Sequence, residues 1–311
     1  MYFPYLRGRQ NELIALRELV DNSLLSDKVI PIIEPVKTSS TLIKTIEIFQ
    51  GANKKLALVR NPQVGNFALD LKKEENVPFK EKLYKLLELD DIIDVHFLNS
   101  NSEKFIKKLP QRGKCISDII TICENEDYIP VFEELFSSEN PKYNLMLAEG
   151  IFKKHIKNNR VMMKDKFKKK TRNTDYEDID DESFSTDHLY CDGDGYVGFS
   201  DYSIIGNSYI ESGFAPRAVA IHIVYFDENH KLRIRHFVSD SNDNIFDPAG
   251  KFAEALQKLV EWNKIQKLNT LGINTLTQMY ENETYPGLGI VKKLSLMHHI
   301  ELMGRFLDGD I

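Results

Sequence analysis

Short apolar runs, most of them stopping at a polar residue, alternate along this chain with stretches of helical period. The runs are Tyr2–Arg7, Ile30–Val36, Leu56–Arg60, Ile92–Leu98, Lys114–Asp118, Arg160–Asp165, Tyr196–Asp201 and Val219–Tyr225. Between them, Gln10–Val20 sets Leu13, Leu16, Leu19 and Val20 on one helical face, and Phe79–Leu89 turns Leu83, Leu86 and Leu87 inward. Strand, helix, strand repeated in this way predicts a parallel sheet covered by helices. Eight such runs predict an α/β fold, a TIM-like (β/α)8 barrel. The count includes Tyr2–Arg7 despite Pro4, so an open α/β sheet is the alternative.

The middle and the end depart from the rhythm. Tyr128–Phe136 and Tyr143–Ile156 both read as helices between the fifth and sixth strands. Residues 166–190 form a charged loop excursion. There Lys166, Lys168, Lys169, Lys170 and Arg172 run into Asp175, Glu177, Asp178, Asp180, Asp181 and Glu182, too polar for core. Residues 228–311 read as a hairpin through Leu232–Val238 and closing helices over Phe252–Ile265 and Ile290–Phe306. The whole of 1–311 is predicted to be one domain.

Composition narrows the class. The chain has 311 residues, 42% of them apolar and 28% charged, and a net charge of −6, which gives no general attraction to nucleic acid. Cys115, Cys123 and Cys191 have no paired framework, so reduced thiols in the cytoplasm are expected. No run is long enough to span a membrane, and Met1–Leu6 does not resemble a secretory signal.

A parallel barrel does its chemistry where the strands end. That rule gathers Arg7, Glu34, Arg60, Asn61, Asp118, Asp165, Asp201 and His222 on one rim. Glu34, Asp165 and Asp201 are hard carboxylate ligands for Mg2+ or Mn2+, which would support phosphoester hydrolysis. The alternative is that these acids cap helices or pair with arginines. Arg7, Arg9, Arg60 and Asn61 are the candidate anion grip. His222, on a strand of alternating period, is the candidate general base or metal ligand, with a hydrogen-bonded core histidine as the alternative, and Asp118 is the other candidate catalytic residue. Pro286-Gly287-Leu288-Gly289, followed by Lys292 and Lys293, is a second phosphate candidate. It lacks the Walker spacing, so an ordinary helix start is its simpler explanation. The lysines of 164–172 could contact phosphates, but their acidic neighbours compete with nucleic acid for them.

Tyr2-Phe3-Pro4-Tyr5-Leu6-Arg7-Gly8-Arg9-Gln10-Asn11-Glu12-Leu13, continued to Pro31-Ile32-Ile33-Glu34-Pro35, resembles the opening of the Beta-protein family of bacteria and phages. Gly198-Phe199-Ser200-Asp201-Tyr202 and Ala220-Ile221-His222 resemble its later segments. The resemblance implies an antiphage-defence setting and a protein partner encoded by an adjacent gene, and it transfers no catalytic residue. Two function classes follow. One is a barrel that binds a phosphorylated or nucleotide-like ligand, with metal-dependent phosphohydrolase activity. The other is a non-catalytic sensor or partner-binding component.

Overall fold

A computed structural model of the protein describes residues 1–211 and 216–311. Eight parallel strands close into a barrel: β1 (Tyr2–Leu6), β2 (Ile32–Ile33), β3 (Leu56–Val59), β4 (Ile92–Phe97), β5 (Ile120–Cys123), β6 (Tyr143–Leu147), β7 (Arg160–Met163) and, after the excursion that contains β8 (Asp181–Ser185), β9 (Gly198–Asp201). The ring closes where β9 pairs with β1 on one side and β7 on the other. Pro4 lies within β1, and the ladders to both neighbours survive it. The predicted barrel is therefore the fold.

Two apolar sets follow from the strand period of two. Phe3, Tyr5, Ile32, Val59, Val95, Ile122 and Met163 fill the barrel interior, while Tyr2, Leu6, Ile33, Leu58 and Phe199 face the surrounding helices. Those helices include α1 (Gln10–Asp21), α2 (Ser40–Gly51), the short α3 (Phe67–Asp70), α4 (Val77–Leu86), α5 (Ser102–Ile106), α6 (Ile129–Leu135), α7 (Gly150–His155) and the short α8 (Asp187–Tyr190). Local chemistry starts them where expected. Ser39, for example, caps α2 by accepting from the Leu42 amide at 3.2 Å.

Beyond the barrel, β10 (Ala220–Phe226) and β11 (Leu232–Val238) form the predicted hairpin, and β8 joins it as a third antiparallel strand. Then α9 (Pro248–Gln266), α10 (Leu271–Glu281) and α11 (Leu288–Asp308) close the molecule. The middle of α11 is buried all round, because α1 packs on one face and β10 on another. No described helix is long and apolar enough to cross a membrane.

Three predicted elements are corrected. Tyr143–Leu147 is barrel strand β6 rather than the start of a helix, and only Gly150–His155 beyond it is helical. The fifth strand begins at Ile120, so Lys114–Asp118 is the turn that enters it. Val219–Tyr225 belongs to the side sheet, not to the barrel. One strand missed and one wrongly included left the total at eight. The charged excursion also holds more order than a loop: Lys168 pairs with Glu182 of β8 at 2.7 Å, and Lys166 pairs with Asp187 at 2.5 Å.

Candidate functional site at the barrel mouth

At the mouth, the interior parity of each strand decides which side chain enters. Arg7 continues the line of Phe3 and Tyr5, Glu34 that of Ile30 and Ile32, Glu124 that of Ile120 and Ile122, Asp165 that of Val161 and Met163. Tyr202, one residue past β9, also faces inward.

Glu34 is the hub. Its Oε2 accepts from the Tyr5 hydroxyl at 2.7 Å and from the Arg7 guanidinium. Its Oε1 accepts from the backbone amides of Gln63 at 2.5 Å and Val64 at 3.3 Å. The loop can offer those amides because Gly65 has φ +74° and packs where a Cβ would lie 2.3 Å from the Val36 carbonyl oxygen. Gly65→Ala is expected to cost more than about 1 kcal/mol in a denaturant titration, through both strain and clash. An unchanged midpoint would show that the loop does not need this approach.

Arg7 lies over the rings of Tyr5 and Tyr202, 5.2 and 5.4 Å from their centroids, and donates to the Asn207 carbonyl at 2.6 Å. The Tyr202 hydroxyl donates to Glu124 at 3.2 Å. Burial raises the Glu124 pKa, against the opposing effects of the Tyr202 hydrogen bond and Arg7.

The segment after β9 lies across this mouth. Asp165 accepts from the amides of Phe167 at 3.1 Å and Asn207 at 2.8 Å. The Arg9 guanidinium donates to the Ile210 carbonyl and sits 4.9 Å from the Tyr209 ring centroid. Lys169 reaches Ser208 Oγ at 3.4 Å.

Lys292, at the start of the second turn of α11, approaches the same group. Partial desolvation lowers its pKa first, and the nearby charges of Lys169 and Arg9 lower it further, although the residue as a whole stays exposed. The first turns of α1 and α11 meet here, since a Cβ on Gly289 would strike Asn11. The α11 N-cap, Gly287, contributes no side-chain acceptor.

These cations lack the partners their sequence neighbours have. Lys166, Lys168 and Lys293 each hold a carboxylate, from Asp187, Glu182 and Glu18 respectively. Among the described residues Arg9 and Lys169 rest on a carbonyl and a hydroxyl, and neither they nor Lys292 has an ion pair. Glu12 lies close, but burial pushes its carboxyl up to about 7, so it offers only a fractional charge at neutral pH.

The other predicted site residues are dispersed. Asp201 has the opposite parity and turns outward, accepting from the Tyr2 hydroxyl and the Ser203 amide, each at 2.8 Å. Burial raises its pKa to about 6. With Glu34 saturated by four donors, Asp165 bound to two amides and Asp201 outside the barrel wall, these three carboxylates do not fit a magnesium or manganese ion. No group of three His, Cys, Asp or Glu among the described residues is placed to hold one.

Arg60 also points outward, 2.8 Å from Asp94. Asn61 bonds the amide and carbonyl of Phe97 at 2.9 and 2.8 Å, tying β3 to β4 instead of facing a ligand. Asp118 precedes β5 and so sits at the opposite pole from the rim, bound to Cys115. His222 lies in β10, its Nδ1 2.8 Å from that of His236 directly across the strand pair. Burial lowers its pKa, with His236 and Lys292 adding to the effect. It is a packed side-sheet histidine on no barrel strand, its ring 5.1 Å from that of Phe167 and within electrostatic reach of Lys292.

Sequence reasoning missed Tyr5, Glu124 and Tyr202 at the mouth. The alternation through Phe3-Pro4-Tyr5 and Ser200-Asp201-Tyr202 carries the signal for the tyrosines. Glu124 became visible only with β5 in its correct place. No family model, curated protein or solved structure matches this chain, so the mouth is interpreted from its own chemistry.

Proposed function

We propose that the protein is a receptor for a phosphorylated or nucleotide-like small molecule, working in the defence setting that the resemblance of its opening residues implies. The observation that carries this is the convergence of Arg9, Lys169 and Lys292 at one side of the mouth, none of them in an ion pair among the described residues and only the fractionally charged Glu12 nearby. Like charges held together raise the local potential, and cations resting on neutral acceptors are free to exchange them for phosphoryl oxygens. The uncapped start of α11 adds backbone donors of the same sense. Binding under the 203–211 segment explains the arrangement without metal-assisted hydrolysis, for which the carboxylate set is not assembled.

Inorganic pyrophosphate is a suitable probe, followed through the backbone amide resonances of Leu288 and Gly289. Saturable shifts are expected for the natural chain. In Arg9→Ala/Lys169→Ala/Lys292→Ala the apparent affinity at this site should fall about 100-fold, as three charge-assisted contacts worth about 1 kcal/mol each disappear. Amides that do not move in the natural chain would overturn the proposal.

A further inference from the structure

A second group of cations lies on the outer wall of the barrel, well apart from the mouth in its connections. Asp94 in β4 is fully buried, and three cations approach its carboxylate. Arg60 is 2.8 Å from Oδ1, Arg112 is 3.2 Å from Oδ2, and Lys114 is 3.9 Å from Oδ1. Lys114 also donates to the Ile92 carbonyl at 2.9 Å. The next carboxylate, Asp118, is engaged with the amide and thiol of Cys115, both at 2.9 Å.

One buried carboxylate needs one cation, and each additional charge brought out of water adds a desolvation cost. Here three cations share the one carboxylate, which leaves an excess of two positive charges. Their donors are also uncommitted. Arg60 and Arg112 each spend a single nitrogen on Asp94. The remaining guanidinium nitrogens make no hydrogen bond among the described residues and are not fully buried, the Arg60 and Arg112 side chains being 12% and 33% exposed. Two aromatic rings flank the forks: Tyr84 lies 5.8 Å from the Arg60 guanidinium, and Phe105 lies 5.9 Å from that of Arg112.

From this geometry we infer that Arg60, Arg112 and Lys114 form an anion-binding site for a tetrahedral oxyanion, either free phosphate or a terminal phosphoryl group. Asp94 is the fixed counter-charge that holds the two guanidinium forks side by side, a planar donor array suited to phosphoryl oxygens. The site is independent of the mouth, because it shares no residue with Arg9, Lys169 and Lys292.

The test uses Arg9→Ala/Lys169→Ala/Lys292→Ala protein, in which the mouth is silenced, and inorganic phosphate at constant ionic strength. The side-chain Nε–H resonances of Arg60 and Arg112 are expected to shift together and saturably. Arg112→Gln, at the more exposed of the two guanidiniums, should weaken that binding about tenfold or more. Lys114→Met gives a second variant, with the same expected direction, if the first fails to fold. The absence of any phosphate-dependent shift at Arg60 and Arg112 would overturn the inference. So would a shift that chloride reproduces at matched ionic strength. Phosphate esters of a small alcohol separate the two sources: binding equal to that of free phosphate supports a terminal phosphoryl ligand, and rejection of the ester supports the free ion.

Discussion

Glu34→Ala is expected to destabilise the protein by about 3–5 kcal/mol. The carboxylate is fully buried, and its partner Arg7 is nearly so, with 12% of its side chain exposed. Removing the acid leaves a cation in the mouth with its main counter-charge gone, along with the Tyr5 hydroxyl and two amides that lose their acceptor. Breaking one side of a buried pair costs this much because the surviving charge has already lost its water. Glu34→Gln keeps an acceptor oxygen and should cost less, although it still abandons the charge on Arg7. Urea unfolding of the two variants gives the comparison. Equal, small losses for both would mean that Arg7 finds solvent easily and that the mouth is not organised by Glu34.

The second large effect concerns pH. His298 Nε2 donates to the Val224 carbonyl at 2.7 Å, so in the neutral ring Nδ1 accepts from the Thr270 hydroxyl at 2.7 Å, while His299 Nδ1 meets Ser203 Oγ at 2.6 Å. The two point in different directions from α11, one toward the side sheet and the other toward the barrel. Burial lowers the pKa of His298 to about 4 and that of His299 to about 3. The unfolded chain takes up these protons near pH 6.5 and the folded chain resists them, so stability is lost as pH falls below about 6.5. Between pH 7 and pH 5 the loss is about 2 kcal/mol for each histidine.

Glu12 and Asp201 act in the opposite sense. Their folded pKa values are raised to about 7 and about 6, so the folded state binds their protons first, and acidification adds stability until the unfolded acids titrate. A comparison of variants isolates the histidines from these acids. The stability gap between the natural chain and His298→Gln/His299→Gln should narrow by about 4 kcal/mol when urea unfolding is repeated at pH 5 instead of pH 7. A gap of the same size at both pH values would contradict it.

Most of the barrel is legible in the sequence because its strands are short apolar runs closed by polar residues, and its first helices have clean periodicity. The errors have physical causes. Tyr143-Asn144-Leu145-Met146-Leu147 is rich in helix formers and leads toward a real helix at Gly150, so local preference concealed a strand fixed by the barrel around it. A ladder through Asn144 and Leu145 to β5 and β7 overrides that preference. The β10 hairpin strand imitates a barrel strand because both of its faces are largely covered, by α11 and by the elements around His222.

The site was less legible than the scaffold, for a reason of parity. Ending a strand near the rim does not decide whether a side chain enters the mouth or leaves through the wall. Asp201 and Arg60 end their runs as Arg7 does, and Glu34 stands near the end of its own, yet Asp201 and Arg60 face the helices. Lys169 and Lys292 are 123 positions apart in the numbering, and only the packing of α11 against α1 brings their charges together. The charged excursion looked self-neutralising in sequence. Lys166 and Lys168 do find acids, and Lys169 between its basic neighbours does not.

Selenate is a tetrahedral oxyanion with a strong anomalous signal, which makes it a direct probe of the group at the mouth. In crystals of the natural chain soaked in selenate, an anomalous peak is expected within hydrogen-bonding reach of Arg9, Lys169 and Lys292, beside the first turn of α11. A map in which those three side chains close on an acidic residue instead, with no peak between them, would contradict it.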